Sequence, residues 1–130
     1  MTEQIRVVAA VIRRGETLLV CQRAAHKRHG GLWEFPGGKC EDGESDVAAI
    51  RRELREELDV ESVFVGSSEF EVADAGSPYL IVFIPVAIEA EPRALEHGAL
   101  AWASIKALLE MPLAPSDRRY AEWLGNVTPY

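Results

Sequence analysis

Three glutamates near the middle of the chain have the residue type and spacing needed to hold a divalent cation. At about 100° per residue, Glu53, Glu56 and Glu57 fall within an arc of roughly 100° on a helix. Mg²⁺ prefers oxygen ligands, so carboxylates grouped on one rigid helix could hold it against a polyphosphate. The alternative is an ordinary solvated helix face, on which Arg52 and Arg55 neutralise the glutamates.

The residues that precede these glutamates favour the first alternative. Gly38 is followed by five residues, Glu44, seven residues and then Arg52-Glu53-Leu54-Arg55-Glu56-Glu57-Leu58-Asp59-Val60. This pattern resembles the Nudix box, the defining motif of the Nudix hydrolases. It matches every fixed position except the last glycine, where this chain has Asp59. Aspartate adopts the left-handed conformation of a helix C-cap more readily than most residues, so the exchange removes no ligand.

The resemblance implies a role for each matching residue of the box. It implies a site for Mg²⁺, for which Mn²⁺ can substitute, formed by Glu53, Glu56, Glu57 and the carbonyl oxygen of Gly38. Arg52 would orient these carboxylates through ion pairs, and Glu44 would be a supporting acid of the catalytic site. The Gly37-Gly38 pair would let the backbone approach the site closely.

The resemblance extends beyond the box to the MutT branch, whose members clear modified nucleoside triphosphates. It rests on Arg23, Leu32-Trp33-Glu34-Phe35-Pro36-Gly37-Gly38-Lys39, Glu96-His97, Trp102 and Pro112-Leu113-Ala114-Pro115-Ser116-Asp117. These segments look closest to the CTP pyrophosphohydrolase and 8-oxo-dGTP diphosphatase members of that branch. The likeness spans residues 5–124, which is nearly the whole chain.

The MutT-like segments imply further site residues, each with a structural alternative. Glu96 would be a metal ligand or general base, or else an ordinary loop carboxylate. Asp117 would accept hydrogen bonds from the edge of the base, or serve only as the acid that a helix N-terminus favours. Further substrate contacts are implied for Arg23, Phe35 and Lys39. For Arg23 the alternative is a surface ion pair, and for Phe35 it is core packing.

Three more residues qualify these expectations. His97 is a weaker candidate for proton transfer, and it more often positions the loop that carries Glu96. Trp33 is expected mainly to pack. In the MutT branch an arginine contacts the purine near the start of the strand that here begins at Pro78-Tyr79. Because this chain has Pro78, the resemblance does not imply a strict preference for 8-oxoguanine.

The reaction implied by the resemblance is the hydrolysis of a ribo- or deoxyribonucleoside triphosphate to the monophosphate and pyrophosphate. Such a reaction would clear modified or excess nucleotides, of the 8-oxo-dGTP or cytidine type. One alternative is hydrolysis of another nucleoside diphosphate derivative, such as a sugar nucleotide. A second alternative, outside the enzymes, is a catalytically silent nucleotide sensor, although such a protein would be expected to lose box glutamates.

Composition limits the partners that the chain can have. It has 130 residues and a net charge of −7, which argues against a nucleic-acid platform, because phosphate backbones are bound by clustered lysines and arginines. No apolar run is long enough to span a membrane, and no signal peptide is evident. We therefore expect a cytoplasmic protein, monomeric or homodimeric, in which Cys21 and Cys40 are structural thiols.

Periodicity predicts the elements that must position these residues. Strands are expected over residues 5–12, 18–22, 33–35, 63–65, 69–72 and 79–88, with a bulge or sheet edge at Pro85. Helices are expected over residues 45–58, 103–110 and 117–124, with Ser45, Ser104 and Ser116 as candidate caps. Val47, Ile50, Leu54 and Leu58 form the expected buried stripe of the first helix. We predict one α+β domain over residues 1–130, an α/β/α sandwich with a mixed sheet between helices.

Overall fold

The computed structural model of the chain describes residues 4–74 and 76–128. The strands are β1 (Ile5–Arg14), β2 (Thr17–Gln22), β3 (Trp33–Glu34), β4 (Gly37–Lys39), β5 (Ser62–Val65), β6 (Phe70–Ala73), β7 (Tyr79–Ile88) and β8 (Ala99–Ser104). The helices are α1 (Asp46–Leu58), α2 (Ile105–Glu110) and α3 (Pro115–Val127). Within the described residues, no helix combines the length and apolar character needed to cross a membrane.

The sheet is built around its two longest strands. β1 and β7 run parallel, with Ile5 opposite Tyr79 and Ile12 opposite Val86. The other pairings between these strands are antiparallel: β2 and β4 pair with β1, β5 and β6 pair with β7, and β3 and β8 pair with β2. The expected mixed sheet is therefore confirmed.

Alternation along β1 separates two core layers, because successive side chains of a strand point to opposite faces. One layer contains Val8, Ala10 and Ile12 together with Ile50, Leu54 and Leu58 of α1. The other contains Ala9 and Val11 together with Leu108 of α2 and Tyr120 and Leu124 of α3. The sheet thus lies between α1 on one face and α2 and α3 on the other, as the expected sandwich requires.

Both ends of α1 are fixed as the sequence predicts. At the start, the Ala48 N–H donates to the Ser45 hydroxyl oxygen at 3.1 Å, which makes Ser45 the N-cap. At the end, Asp59 adopts the left-handed conformation, with φ of 56°, and its N–H donates to the carbonyl of Arg55. Aspartate therefore fills the position where the Nudix box has glycine.

Two predictions about the helices are wrong. Val47 was expected in the buried stripe of α1, but it is 41% exposed. Helical spacing fixes the direction of a side chain around the axis, but not whether a partner lies opposite. Ser116 is not a helix cap, because α3 begins at Pro115, after Ala114, with no side-chain cap. Ser104 caps α2, accepting from the Ala107 N–H at 3.1 Å.

The sheet also differs from prediction in three places. β4 forms across Gly37–Lys39, where glycines predicted only a break, because the backbone of β1 pairs with it. β8 occupies Ala99–Ser104, where no strand was predicted and where residue 103 was assigned to a helix. Pro85 lies in an interior strand, and the bulge occurs instead between Ser62 and Phe64. The ring of Pro85 falls between the stretches of β7 that pair with β5 and β6.

Candidate active site

Glu57 is the most deeply buried of the box glutamates. It is 6% exposed and its Oε1 accepts from the Gly37 N–H at 3.0 Å. Burial raises its pKa to about 9, and the charges of Glu53, Glu34 and Glu96 add to that increase. A carboxyl group in this position is ionised at neutral pH only if a cation compensates its charge.

Glu53 lies against the glycine loop one turn before Glu57. A Cβ built on Gly38 would lie 2.5 Å from the Glu53 carboxyl carbon, so a larger residue at this position would displace the carboxylate from the loop. Burial raises the pKa of Glu53, while the adjacent Arg52 guanidinium lowers it. The structure therefore brings the Gly38 backbone and two of the three expected glutamate ligands to one place.

Arg52 joins the loop to the helix. Its guanidinium donates to both carboxylate oxygens of Glu44 at 2.8 Å, to Glu53 at 2.8 Å, and to the Lys39 carbonyl oxygen at 2.9 Å. The Arg52 hydrogen bonds, with one from the Glu41 N–H, lower the pKa of Glu44 to about 2. These contacts suit the orienting role expected of Arg52 and the supporting role expected of Glu44.

Glu56, the third expected ligand on the helix, is placed differently. Its side chain is 52% exposed, and its nearest cation is Arg52 at 3.4 Å. It does not line the cavity that Glu53 and Glu57 share. Its role as a ligand stays a prediction, because a long exposed side chain can turn toward a bound ion.

A polar cluster stands opposite Glu57. Arg23 donates to Glu34 at 2.9 Å, and the other Glu34 oxygen lies 3.2 Å from the Nε2 atom of His97. The same nitrogen is 3.5 Å from Glu57. Burial raises the pKa of Glu34, but the hydrogen bonds from His97 and Arg23 outweigh burial and lower it below its usual value.

The loop that carries Glu96 is attached to the end of α1 by backbone hydrogen bonds. The Arg93 N–H donates to the Leu58 carbonyl oxygen, and the Leu95 N–H donates to the Glu57 carbonyl oxygen, both at 2.9 Å. These bonds bring Glu96 to the cavity that Glu53 and Glu57 line. The expected convergence of Glu96 with the box glutamates is therefore present in the fold.

The cavity that Glu53, Glu57 and Glu96 line is called the acidic cavity below. Its volume is about 190 Å³, and the chemistry of its donor groups suits a divalent cation. Four carboxylates line it, from Glu34, Glu53, Glu57 and Glu96. Within residues 4–74 and 76–128, no three carboxylate, imidazole or thiolate groups stand close enough to chelate an ion without adjustment. Even so, a hard cation would relieve the repulsion between these carboxylates and the buried Glu57, so the residues fit such an ion.

A larger cavity of about 390 Å³ adjoins the acidic one. Arg23, Glu34 and Gly37 line both cavities. All four residues expected to contact substrate border the larger cavity, namely Arg23, Phe35, Lys39 and Asp117. The Lys39 ammonium lies 5.0 Å from the centre of the Tyr79 ring, which also lines this cavity.

Asp117 and Phe35 support each other in the wall of the larger cavity. The Phe35 N–H donates to Asp117 Oδ1 at 2.9 Å. Burial raises the pKa of the Asp117 carboxyl group to about 7. The Phe35 ring is 4% exposed and packs edge-on against Phe83 and Tyr120, so the structure shows it in a packing role. Contact of Phe35 or Asp117 with a base stays a prediction.

Comparison with known proteins identifies the family. The NUDIX domain model matches residues 3–124. The chain belongs to the Nudix family. This Nudix protein is 42% identical to CTP pyrophosphohydrolase of Escherichia coli over 118 residues, covering 88% of this chain and 87% of that one. It is 39% identical to a Mycobacterium tuberculosis protein provisionally named 8-oxo-dGTP diphosphatase 2, covering 98% of this chain and 89% of that one.

Solved structures agree with this assignment. The solution structure of the E. coli ORF135 protein superimposes with a TM-score of 0.81 at 38% identity, covering 98% of this chain and 95% of that one. The crystal structure of a MutT NUDIX hydrolase from Burkholderia pseudomallei gives 0.82 at 27% identity, covering 97% and 99%. The MutT-like Nudix fold and the enzyme class, a pyrophosphohydrolase, are thereby confirmed. Enzymes of this family generally use divalent cations.

Sequence reasoning gave no site role to several residues that the fold places in the cavities. Glu34 is the clearest case, and its signal was an acidic residue in an otherwise apolar strand, directly before the Phe-Pro-Gly-Gly segment. Lys27 lines the acidic cavity, and Asp74 lines the larger one. These two lie on connecting segments, where sequence alone gives no partner.

Proposed function

We propose that this Nudix enzyme hydrolyses nucleoside triphosphates to nucleoside monophosphates and pyrophosphate, with Mg²⁺ as the preferred metal and Mn²⁺ as a substitute. The observation that supports this function is the junction of the two cavities. Arg23, Glu34 and Gly37 border both, so a single molecule can place phosphates among the acidic side chains and its base in the larger space.

In the acidic cavity, the ligands would be Glu53, Glu57, Glu96 and the Gly38 carbonyl oxygen, joined by Glu56. When bound, Mg²⁺ neutralises phosphate charge and makes water more acidic. Arg52 holds Glu53 in place, and Gly37 holds Glu57 through its N–H. Two of the four carboxylates are thus held in position before an ion binds.

At the junction, Arg23 is positioned to contact the phosphate chain. Its guanidinium is held by Glu34 and by the carbonyl oxygen of Arg28 at 2.8 Å, which restricts its position. Lys27 from the same connecting segment also lines the acidic cavity. The positively charged side chains of Arg23 and Lys27 would stabilise the charge that develops on the leaving and attacked phosphates in the transition state.

The bond that breaks joins the β phosphorus to the oxygen bridging the α and β phosphates. Water attacks the β phosphorus, by analogy with MutT, and the nucleoside monophosphate leaves with the bridging oxygen. His97 is 6% exposed and bridges Glu34 and Glu57, so in this scheme it positions those carboxylates. His97 thus has a positioning role here, in keeping with the expectation that it is a weaker candidate for proton transfer.

Two base classes follow from the names of the relatives. One relative is named for CTP and another for 8-oxo-dGTP. We call the larger cavity the base cavity, because it would hold the base. Either base can offer N–H groups to Asp117, which lines this cavity and can accept hydrogen bonds. Sugar nucleotides are the second substrate class, and a diphosphate linkage could occupy the same acidic cavity.

The test is product analysis with a panel of canonical, oxidised and methylated triphosphates in the presence of Mg²⁺. We expect a monophosphate and pyrophosphate to appear together in equal amounts. First products of nucleoside diphosphate and orthophosphate would exclude this reaction. In water labelled with ¹⁸O, label is expected in pyrophosphate, and label in the monophosphate would show attack at the α phosphorus instead.

A further inference from the structure

Asp74 lies in the turn between β6 and β7 and has no part in the catalytic chemistry described above. One of its oxygens accepts from the Ser77 hydroxyl at 2.9 Å, and the other accepts from the Ser116 hydroxyl at 3.1 Å. Its own N–H donates to the Tyr79 carbonyl oxygen at 2.9 Å. The carboxylate is thus held from two directions and has a fixed orientation.

The Asp74 carboxylate lies in the wall of the larger cavity, where it could contact a bound base. Asp74, Ser77 and Ser116 all line the cavity, and Ser116 is the direct neighbour of Asp117 in α3. Ser116 is buried, so its bond with Asp74 fastens the turn to the start of α3 beneath the cavity wall. The Asp74 and Asp117 carboxyl groups therefore border the same cavity, and the Ser116–Asp74 hydrogen bond links the segments that carry them.

The wall of the larger cavity therefore carries two carboxyl groups that can act as acceptors, from Asp74 and Asp117. Two neighbouring acceptors on the protein discriminate among bases. Where an acceptor atom of the base faces one of them, the hydrogen bond is lost and the two atoms repel each other. Guanine and 8-oxoguanine present contiguous donors, the ring N1–H and the amino group, next to a carbonyl oxygen. In cytosine and adenine, the amino group adjoins an unprotonated ring nitrogen. In uracil and thymine, the single N–H lies between two carbonyl oxygens.

We propose that Asp74 is a second base-reading residue, which acts with Asp117 to select bases of the guanine type, including 8-oxoguanine, over cytosine. This inference rests on the proposed hydrolysis of nucleoside triphosphates and chooses between the two base classes that the relatives' names leave open.

The test is Asp74→Asn, which keeps the shape of the side chain but removes its charge and one acceptor oxygen. We expect kcat/KM for 8-oxo-dGTP and dGTP to fall about ten- to hundredfold, while kcat/KM for dCTP changes less than about threefold. Both substrates are measured on one preparation, so a loss of folded protein cancels in the ratio. Glu71→Gln is the matched control, because Glu71 is an exposed carboxylate on β6 outside the cavity.

A second measurement separates this inference from the proposed reaction. Binding of 8-oxo-dGMP and dCMP to the protein needs no turnover, and we expect wild type to bind 8-oxo-dGMP more tightly and Asp74→Asn to lose that preference. If Asp74→Asn fails to fold, Ser116→Ala replaces it, with a smaller change in the same ratio. A wild-type preference for cytidine nucleotides, or equal losses for both bases, would overturn the role of Asp74. Absence of triphosphate hydrolysis alongside selective binding would overturn only the reaction.

Discussion

The acidic cavity and the base cavity are built in different ways. Two carboxylates of the acidic cavity, Glu53 and Glu57, lie on one helix, which Arg52 and the Gly37–Glu57 hydrogen bond join to the glycine loop before it. The base cavity is assembled from β4, the turn before β7, the start of α3 and the segment around Arg28. Carboxylates on one helix keep their relative positions, because the helix backbone fixes the directions of their side chains. A wall drawn from distant segments allows one wall residue to change the preferred base without affecting hydrolysis.

The largest effect is expected from Glu57→Gln. The buried carboxylate is replaced by a neutral amide that can still accept from the Gly37 N–H, so the fold should persist. We expect kcat to fall by about 10³-fold or more, because a ligand charge worth several kcal/mol in the transition state is lost. Turnover with Mg²⁺ at the wild-type rate would contradict the assignment of the acidic cavity, and thermal unfolding checks the fold.

Arg52→Gln should have a smaller effect on the same cavity. Arg52 positions Glu53 and Glu44, so its removal should lower kcat roughly ten- to hundredfold and raise the Mg²⁺ concentration needed for half-maximal activity. Arg55→Gln is the matched control, since Arg55 is exposed and pairs only with Glu61 among the described ion pairs. A surface pair of this kind contributes about 0 to 1 kcal/mol. If the two variants respond alike to Mg²⁺, Arg52 has no special role.

These two variants address the part of the site that sequence alone predicted well. The box lies in one helix, so spacing fixed which side chains share a face, and the Ser45 cap and the Asp59 end were also predictable. Glu56 shows the limit, because spacing could not tell that its side chain would be half-exposed. Val47 shows the same limit in the core, where direction was predictable and the presence of a partner was not.

Asp117→Ala tests the base cavity, with a moderate effect expected. If Asp117 reads the base, discrimination between bases should drop about ten- to hundredfold while the Mg²⁺ dependence is unchanged. The measurement is kcat/KM for guanine and cytosine triphosphates, compared with wild type. Equal loss for every base would mean that Asp117 only supports the Phe35 N–H and the start of α3.

The last prediction concerns stability and pH, not turnover. Burial raises the pKa of Asp117 from 3.8 to about 7, so between these values the folded protein binds a proton that the unfolded chain releases. Stability is therefore lost as pH rises through this window. Asp117→Asn lacks this loss, so its free energy of unfolding relative to wild type should increase by roughly 1 to 4 kcal/mol from pH 4 to pH 7. Denaturant titration without added metal measures it, and a constant difference would contradict the pKa increase.

The base cavity was far less predictable than the helix. Asp74 and Ser116 are distant in sequence and meet only because the turn before β7 packs beside α3. Ser116 itself was expected to be a cap, since serine near a helix start is usually one, and its hydroxyl instead binds Asp74. β8 was also missed, because four of its six residues are alanine or serine and pairing with β2 outweighs their weak strand propensity.

The backbone bonds between the end of α1 and the Glu96 loop make two amides into reporters. The N–H groups of Arg93 and Leu95 donate to carbonyl oxygens of α1, so hydrogen exchange at these positions requires the loop to separate from the helix. Slow exchange would mean that Glu96 and Glu57 move as one unit. Exchange that slows further when Mg²⁺ is added would reveal, without any substrate, that ion binding and loop order are linked.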